Sequence, residues 1–311
     1  MQGVSNLITA LEHHNRVCKI TIHGVPNSLL KQFGEMDLVS LRLWNISSSG
    51  YISPESMVTC LATLTRLSQL DLRFGFPRSR ADRDSRPPSL PRPVVLPALT
   101  TFCFKGDGEY LEDIISRIDV PHLRRTFITF FNQLIFDTPL LLHLISHTEN
   151  YKTSQSADIH FWDGSVEAVI YFPPAMSYGE IHLEISCRPS DWQLSSLAQV
   201  WSSALSPLLT LERLEIFDYR THWQDDIEIT QWLALLHPFI SVKHLVLPKY
   251  LVRLLAPALQ VIAEESLTEV LPALERLSFQ EQQPLGPVKD SEAISKFIAA
   301  RQLFGCPITV D

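Results

Sequence analysis

His143 and His147 stand four residues apart in a stretch of helical periodicity, the spacing at which two imidazoles on one helix face can ligate a divalent metal. A hydrolytic zinc helix also places a glutamate between its histidines as general base. Here residues 144 to 146 are Leu144, Ile145 and Ser146. The pair therefore reads as part of a partly exposed helix face. His13-His14 and Asp225-Asp226 are neighbours in sequence, and neighbouring side chains diverge rather than converge on a substrate. The cysteines (Cys18, Cys60, Cys103, Cys187 and Cys306) are scattered, odd in number and never in Cys-x-x-Cys spacing. That pattern opposes a metal or disulfide framework and fits a reducing compartment. No Gly-x-Ser-x-Gly elbow, phosphate loop or dinucleotide fingerprint occurs in the sequence. The expectation is of no catalytic residue, no metal and no cofactor. The alternative is a hydrolase or metal-dependent enzyme on an irregular α/β frame, which would need His, Asp and Ser gathered in one pocket.

The residue types better represented are those that bind proteins. Arg42, Trp44, Arg73, Phe131, His160, Trp162, His182, Glu184, Arg213, Glu215 and Phe217 are the candidates for a partner-binding face. Aromatic side chains and arginine are the residues that most often anchor protein interfaces. Trp44, Phe131, Trp162 and Phe217 are expected to share one outward register, beside Arg42, Arg73 and Arg213. The competing expectation is that covering loops or irregular repeats bury these rings.

What places them there is a recurrence. Apolar-x-apolar pairs return at intervals of about 30 residues: Ile20/Ile22, Leu41/Leu43, Leu70/Leu72, Phe102/Phe104, Ile128/Phe130, Ile159/Phe161, Leu183/Ile185, Leu214/Ile216, Leu245/Leu247, Leu277/Phe279 and Ile308/Val310. Alternate strand residues point to opposite faces, so the apolar pairs go inward and the residues flanking them go outward. Those outward positions include Lys19, Thr21 and His23, then Ser40, Gln69, Asp71, Phe127, Thr129 and Asp158. Leu211-Glu-Arg-Leu214-Glu-Ile216 and Leu274-Glu-Arg-Leu277-Ser-Phe279 spell the L-x-x-L-x-L strand segment of a leucine-rich repeat. Leu38 to Leu43, Leu67 to Leu72 and Leu99 to Phe104 repeat it.

Between the strands lie helical patterns over Glu55–Leu64 (with Ser53 as cap and Pro54 opening the helix), Tyr110–Ile118, Pro139–His147, Leu194–Leu205, Ile227–Leu236, Leu251–Glu265 and Ser291–Arg301. Short strand-helix-strand units favour parallel strands with right-handed crossovers. The fold expected is α/β: an irregular leucine-rich-repeat-like solenoid, a curved parallel sheet backed by helices with its eleven strands in sequence order. It should form a single domain over residues 1–311. The asparagine that closes regular repeats is missing, so no asparagine ladder is expected; Asp218 and Lys249 stand in the corresponding places. Val166–Phe172 adds a strand-like run, read as an inserted hairpin ending at Pro173-Pro174. Gly75–Pro93, with Arg78, Arg80, Arg83, Arg86 and Arg92 among its prolines, reads as a flexible insertion that trypsin should cut first.

The bulk numbers bound the partners. Lys plus Arg total 26 against 34 Asp plus Glu, a formal charge of 26 − 34 = −8. An acidic chain without a basic stripe in its sequence argues against nucleic acid. The first 17 residues show no basic segment followed by a long apolar one, and Tyr250–Ala263 is too short and too interrupted to cross a bilayer. No membrane partner is expected, and a cytoplasmic or nuclear location is.

With these residues in view, the chain resembles the F-box and leucine-rich-repeat-like proteins of mushroom-forming (basidiomycete) fungi. The resemblance is carried by Asn45–Met57, Glu109–Ile118, Phe130–Pro139, Asp191–Gln199 and Thr268–Leu274, and extends over essentially the whole chain. It implies repeats that hold a protein target. An F-box helix bundle, where present, implies a cullin-ligase adaptor as second partner. No Leu-Pro-x-Glu helical start precedes the repeats in this sequence, whose opening reads as a weak helix over Ser5–His14. The resemblance therefore implies a target-recognition part without its adaptor-docking F-box, which should not bind the adaptor; with only a weak helix at one end and the strand Ile308–Asp311 at the other to cap the repeats, it is expected to be marginally soluble alone.

Overall fold

The computed structural model describes residues 19–23, 33, 37–77, 93–131, 136–151, 154–172, 179–187, 190–203, 210–220, 228–249, 251, 255, 258, 270–280, 291–303 and 305–311. The chain divides into two compact units, Met1–Phe131 with Thr138–Asn150, and Asn132–Asp137 with Tyr151–Asp311. Each is a mixed α/β unit with a mostly parallel sheet backed by helices.

In the first unit five strands pair side by side and parallel, in sequence order. They are β1 (Lys19–His23), β2 (Ser40–Ile46), β3 (Gln69–Phe74), β5 (Thr101–Gly106) and β7 (Arg125–Phe130). The inward positions Leu41, Leu43, Leu70, Leu72, Phe102, Phe104, Ile128 and Phe130 are all buried. Behind them pack α1 (Pro54–Leu61), α2 (Gly108–Ile115) and α3 (Pro139–His147), each touching the next. The start of α1 follows its sequence signal: the Ser53 hydroxyl accepts from the Ser56 amide at 3.2 Å, with Pro54 in the first turn. The start of α3 does not. Thr138 makes no side-chain cap, and the buried Glu112 carboxylate of α2 reaches across to accept from the Leu140 and Leu141 amides at 2.8 and 2.9 Å. A carboxylate there satisfies two orphan donors and suits the positive end of the helix dipole. The helix expected over Tyr110–Ile118 stops at Ile115, because Ile118–Asp119 forms β6, which pairs with β4 (Val94–Val95) in a separate two-stranded sheet.

The second unit contains β8 (Ser156–Trp162), β9 (Ser165–Phe172), β10 (Gly179–Ile185), β11 (Arg213–Asp218), β12 (His244–Pro248), β13 (Arg276–Gln280) and β14 (Thr309–Val310), with α4 (Ser190–Ser203), α5 (Ile229–Leu236) and α6 (Ser291–Leu303). Its strand order is β10-β9-β8-β11-β12-β13-β14. This corrects the expected sequence order. The two-residue turn Asp163-Gly164 reverses the chain, so β9 must lie antiparallel on β8, from Trp162↔Ser165 to Ser156↔Tyr171. β10 then pairs with the far edge of β9, and β8 is left to receive β11. Val166–Phe172 is thus the inserted strand the sequence suggests, and its insertion inverts the local order.

Each of the eleven apolar pairs lies on or immediately before a strand, although the last pairs open outward: Phe279 is half-buried and Val310 exposed. In place of an asparagine ladder, backbone bonds recur at strand entry. Two successive amides, 68/69, 100/101 and 124/125, donate to the carbonyls of Val39, Ser68 and Thr100. In the second unit the amides 212/213, 243/244 and 275/276 donate to Gln155, Glu212 and Lys243 in the same way. Each of Leu67, Leu99, Leu123, Val242 and Leu274 also closes a turn by donating its amide three residues back. The expected mobile insertion lies largely outside the described residues (78–92), as do most of the helix expected over Leu251–Glu265 and all of that over Ser5–His14.

Candidate functional site

The sheet face turned away from the helices carries the candidate residues, in a separate patch on each unit. On the second unit the register sets a level of rings. Phe217 of β11 is the Cα partner of His160 on β8, and their rings stack at 4.8 Å with planes 8° apart. One side-chain step further, Trp162 stacks on Tyr219 at 4.2 Å and 13°. The two pairs are nearly coplanar in tilt, with His160 to Tyr219 at 5.9 Å and 13°. Trp162 and Tyr219 remain 40% and 46% exposed, so this ladder is open to solvent. The expectation that loops bury the rings fails here, because stacked edges shelter His160 and Phe217 only partly. The shared register is also corrected: Phe217 is level with His160, one step short of Trp162.

The ladder is held from behind. Gln193, fully buried on α4, donates to the carbonyls of Trp162 and Cys187, both at 2.9 Å. Its own carbonyl accepts from Arg220 at 3.3 Å. Arg220 and Asp218, whose side chains are 2% and 0% exposed, form an ion pair at 2.8 Å, and the guanidinium lies 4.6 Å over the Phe161 ring. These contacts fix the exits of β8 and β11, from which Trp162 and Tyr219 project.

Around the ladder sit charged residues from every neighbouring strand. His182 on β10 donates to Glu167 on β9 at 3.0 Å and lies 3.4 Å from Glu180. Burial pushes its pKa down, but the hydrogen bonds and charge of the two glutamates outweigh this and hold it above 6.5. The His182 hydrogen bond lowers Glu167 against its own burial. Tyr171 donates to Asp158 at 3.1 Å; burial raises the Asp158 carboxyl, and burial with the adjacent carboxylate raises the phenol. Glu184 is half-buried and pairs with Glu167 along the antiparallel ladder. Arg213 donates to Glu215 at 2.6 Å and to His244 Nδ1 at 2.7 Å, and His244 Nε2 meets Ser278 Oγ at 2.7 Å. Accepting from a guanidinium makes Nδ1 the unprotonated nitrogen. Burial, followed by Arg213 and Arg276, holds the His244 pKa below 6.5.

On the first unit, Trp44 donates its indole N–H to Asp71 at 2.8 Å, and Arg73 bonds the other oxygen of the same carboxylate at 2.8 Å. Arg73 also lies 5.1 Å over the Trp44 ring. Asp71 and Ser40, both expected to face outward, are buried. Arg42 is half-buried, and the half-buried Phe131 has the Lys105 ammonium 6.0 Å over its ring. Phe131 does not share the Trp44 register: Arg42, Asp71, Cys103 and Phe127 are level, Trp44 is one step beyond that row, and Phe131 is two.

Sequence reasoning missed Tyr219, Gln193, Glu167 and Lys105. Tyr219 was within reach, since the alternation Glu215, Phe217, Tyr219 continues one residue past the strand. Gln193 gave no signal, because it stands one residue before the helix expected over Leu194–Leu205, where a polar residue reads as surface.

His143 and His147 have ring centroids 3.8 Å apart, and His147 Nδ1 bonds the His143 carbonyl at 2.9 Å. No group of three or more His, Cys, Asp or Glu arranged to hold a metal occurs among the described residues. A groove of about 570 Å³ between α4 and α5 is lined by Ala198, Ala234, Pro238, Ser195 and His237 among others, with no carboxylate among the described residues that line it. No helix among the described residues is long and apolar enough to cross a membrane. Comparison with protein-family models, curated proteins and solved structures found no match for this chain.

Proposed function

We propose that the chain is a non-catalytic protein-binding repeat module that holds its target on the outward strand face, as an irregular leucine-rich-repeat solenoid does. The observation that carries this reading is the ladder of Trp162, Tyr219, His160 and Phe217, half open to solvent on a rigid sheet and braced by the buried Gln193. Exposed aromatic rings held in one geometry bind at low conformational cost, the property of an interface anchor. The recurrent strand-entry bonds support the repeat reading. The resemblance to F-box and leucine-rich-repeat-like proteins supports placing the module as the target-recognition part of a ubiquitin-ligase receptor, acting in the cytoplasm or nucleus, with the adaptor engaged only through an F-box.

Quantitative capture from a cell extract, comparing the full chain with its Trp162→Ala/Tyr219→Ala variant, tests the module. Loss of two central anchors should weaken a real target by about 2 kcal/mol or more, roughly thirtyfold. The thermal midpoint should change little, because both rings are surface groups. An identical set of captured proteins from both chains overturns the site. A rise in thermal midpoint with zinc or common ester substrates would favour the enzyme alternative, since a ligand of the native state must stabilise it. Fusing a related F-box in front of the chain should confer adaptor binding; adaptor capture by the unfused chain overturns the receptor-fragment reading.

A further inference from the structure

The outward face of the first unit has a charge opposite to that of the chain. Its five strands present Lys19, Arg42, Arg73, Lys105 and Arg125 against the single carboxylate of Asp71, a formal sum of 5 − 1 = +4 within a chain of −8. Asp71 is already used by Trp44 and Arg73. Lys19, Arg42, Lys105 and Arg125 have no ion-pair partner among the described residues, although carboxylates are in excess in the chain. The parallel pairing gathers these cations on one face at three levels: Lys19 and Arg125 in the row of strand starts, Arg42 one step on, and Arg73 beside Lys105 two steps on. Cys103 reports the convergence: burial and Asp71 push its thiol up to about 11, while Arg73, Arg42 and Arg125 all pull against them.

We propose, resting on the protein-binding reading above, that this face is the docking strip for an extended acidic segment of the partner. The cations run from β1 to β7, four inter-strand steps or roughly 19 Å, which exceeds any single small anion but suits carboxylates along an extended peptide. Unpaired cations beside half-buried rings steer and orient such a segment. Single-stranded nucleic acid fits less well, because it needs open ring faces for its bases. The broadest ring here, Trp44, has Arg73 over it at 5.1 Å and the edge of His23 against it at 5.3 Å.

The test titrates the full chain by fluorescence anisotropy with a labelled Glu/Asp-rich peptide, a Lys/Arg-rich peptide of equal length and a single-stranded RNA. The acidic peptide should bind, with affinity that falls steeply as salt is raised. Replacing Arg42→Gln, Lys105→Gln and Arg125→Gln together should weaken it by about tenfold or more. The charge-keeping set Arg42→Lys, Lys105→Arg and Arg125→Lys should bind as the parent does, which separates lost charge from lost fold. Equal affinity of the Gln variant and the parent, no binding at low salt, or tighter binding of the basic peptide or the RNA overturns the proposal. The Trp162→Ala/Tyr219→Ala chain should keep its acidic-peptide affinity; a loss there moves the strip off the first unit and overturns the assignment. Target capture that does not depend on the ladder, with acidic-peptide binding intact, counts against the module reading alone.

Discussion

At the scale of single residues, the ladder depends on groups that never touch solvent. Asp218→Ala would leave the Arg220 guanidinium buried over Phe161 without its carboxylate. Removing one partner of a buried pair costs about 3–5 kcal/mol, so denaturant unfolding should show a loss of that order. A loss below about 1 kcal/mol would mean the pair behaves like an exposed one. The His182–Glu167 pair makes a different prediction, through pH. The His182 pKa is raised in the folded chain, so its contribution is fully present below 6.5 and is lost as pH rises through the folded value. The Glu167 pKa is lowered, so its contribution is present above 4.5 and is lost as pH falls through the folded value. The pair should therefore stabilise most between those two pH values. His182→Gln should flatten the stability profile on both sides of that window, and an unchanged profile would refute the coupling. Of these residues the sequence offered His182 and Phe217 through period-two alternation. It could not offer Gln193 or Asp218, whose roles exist only once β8, β11 and α4 meet.

At the scale of elements, strands and most helix boundaries were legible because local rules set them. Ser53-Pro54 opens α1 by its own hydroxyl and ring, and Pro139–His147 begins and ends where its pattern does. What stayed hidden is what one element supplies to another. The helical pattern starting at Pro139 names no capping residue, and the amides of α3's first turn are held by Glu112, 28 residues earlier in the chain from Leu140. Glu112→Ala should leave two amides unpaired and cost about 1–3 kcal/mol, with faster hydrogen exchange at Leu140 and Leu141. Unchanged exchange at those two amides would show that the carboxylate is dispensable. The strand order was hidden for a similar reason: periodicity announces that Val166–Phe172 is a strand but is silent on which neighbour it takes.

At the scale of the whole molecule, backbone bonds at strand entry join successive parallel strands across long stretches of chain, from Ser68 to Val39 and from Lys243 to Glu212 among others, and each such contact must close a long loop before it is rewarded. The β8–β9–β10 meander is the exception. Its innermost pairs join residues 162 with 165 and 172 with 179, whereas β11 meets β12 between residues 213 and 244, and β8 between 156 and 213. Local contacts form fastest, so the inserted hairpin is expected to be the folding nucleus of the second unit. Ile170→Val on β9 should then slow refolding, while Leu245→Ala on β12 should mainly speed unfolding, as separate arms of a denaturant chevron would show. The reverse pattern would put the nucleus among the parallel strands. On this kinetic account the segment that breaks the sequence order of the strands gives the parallel strands their starting point: β11 adds to an edge already formed, and each later strand to the one before it.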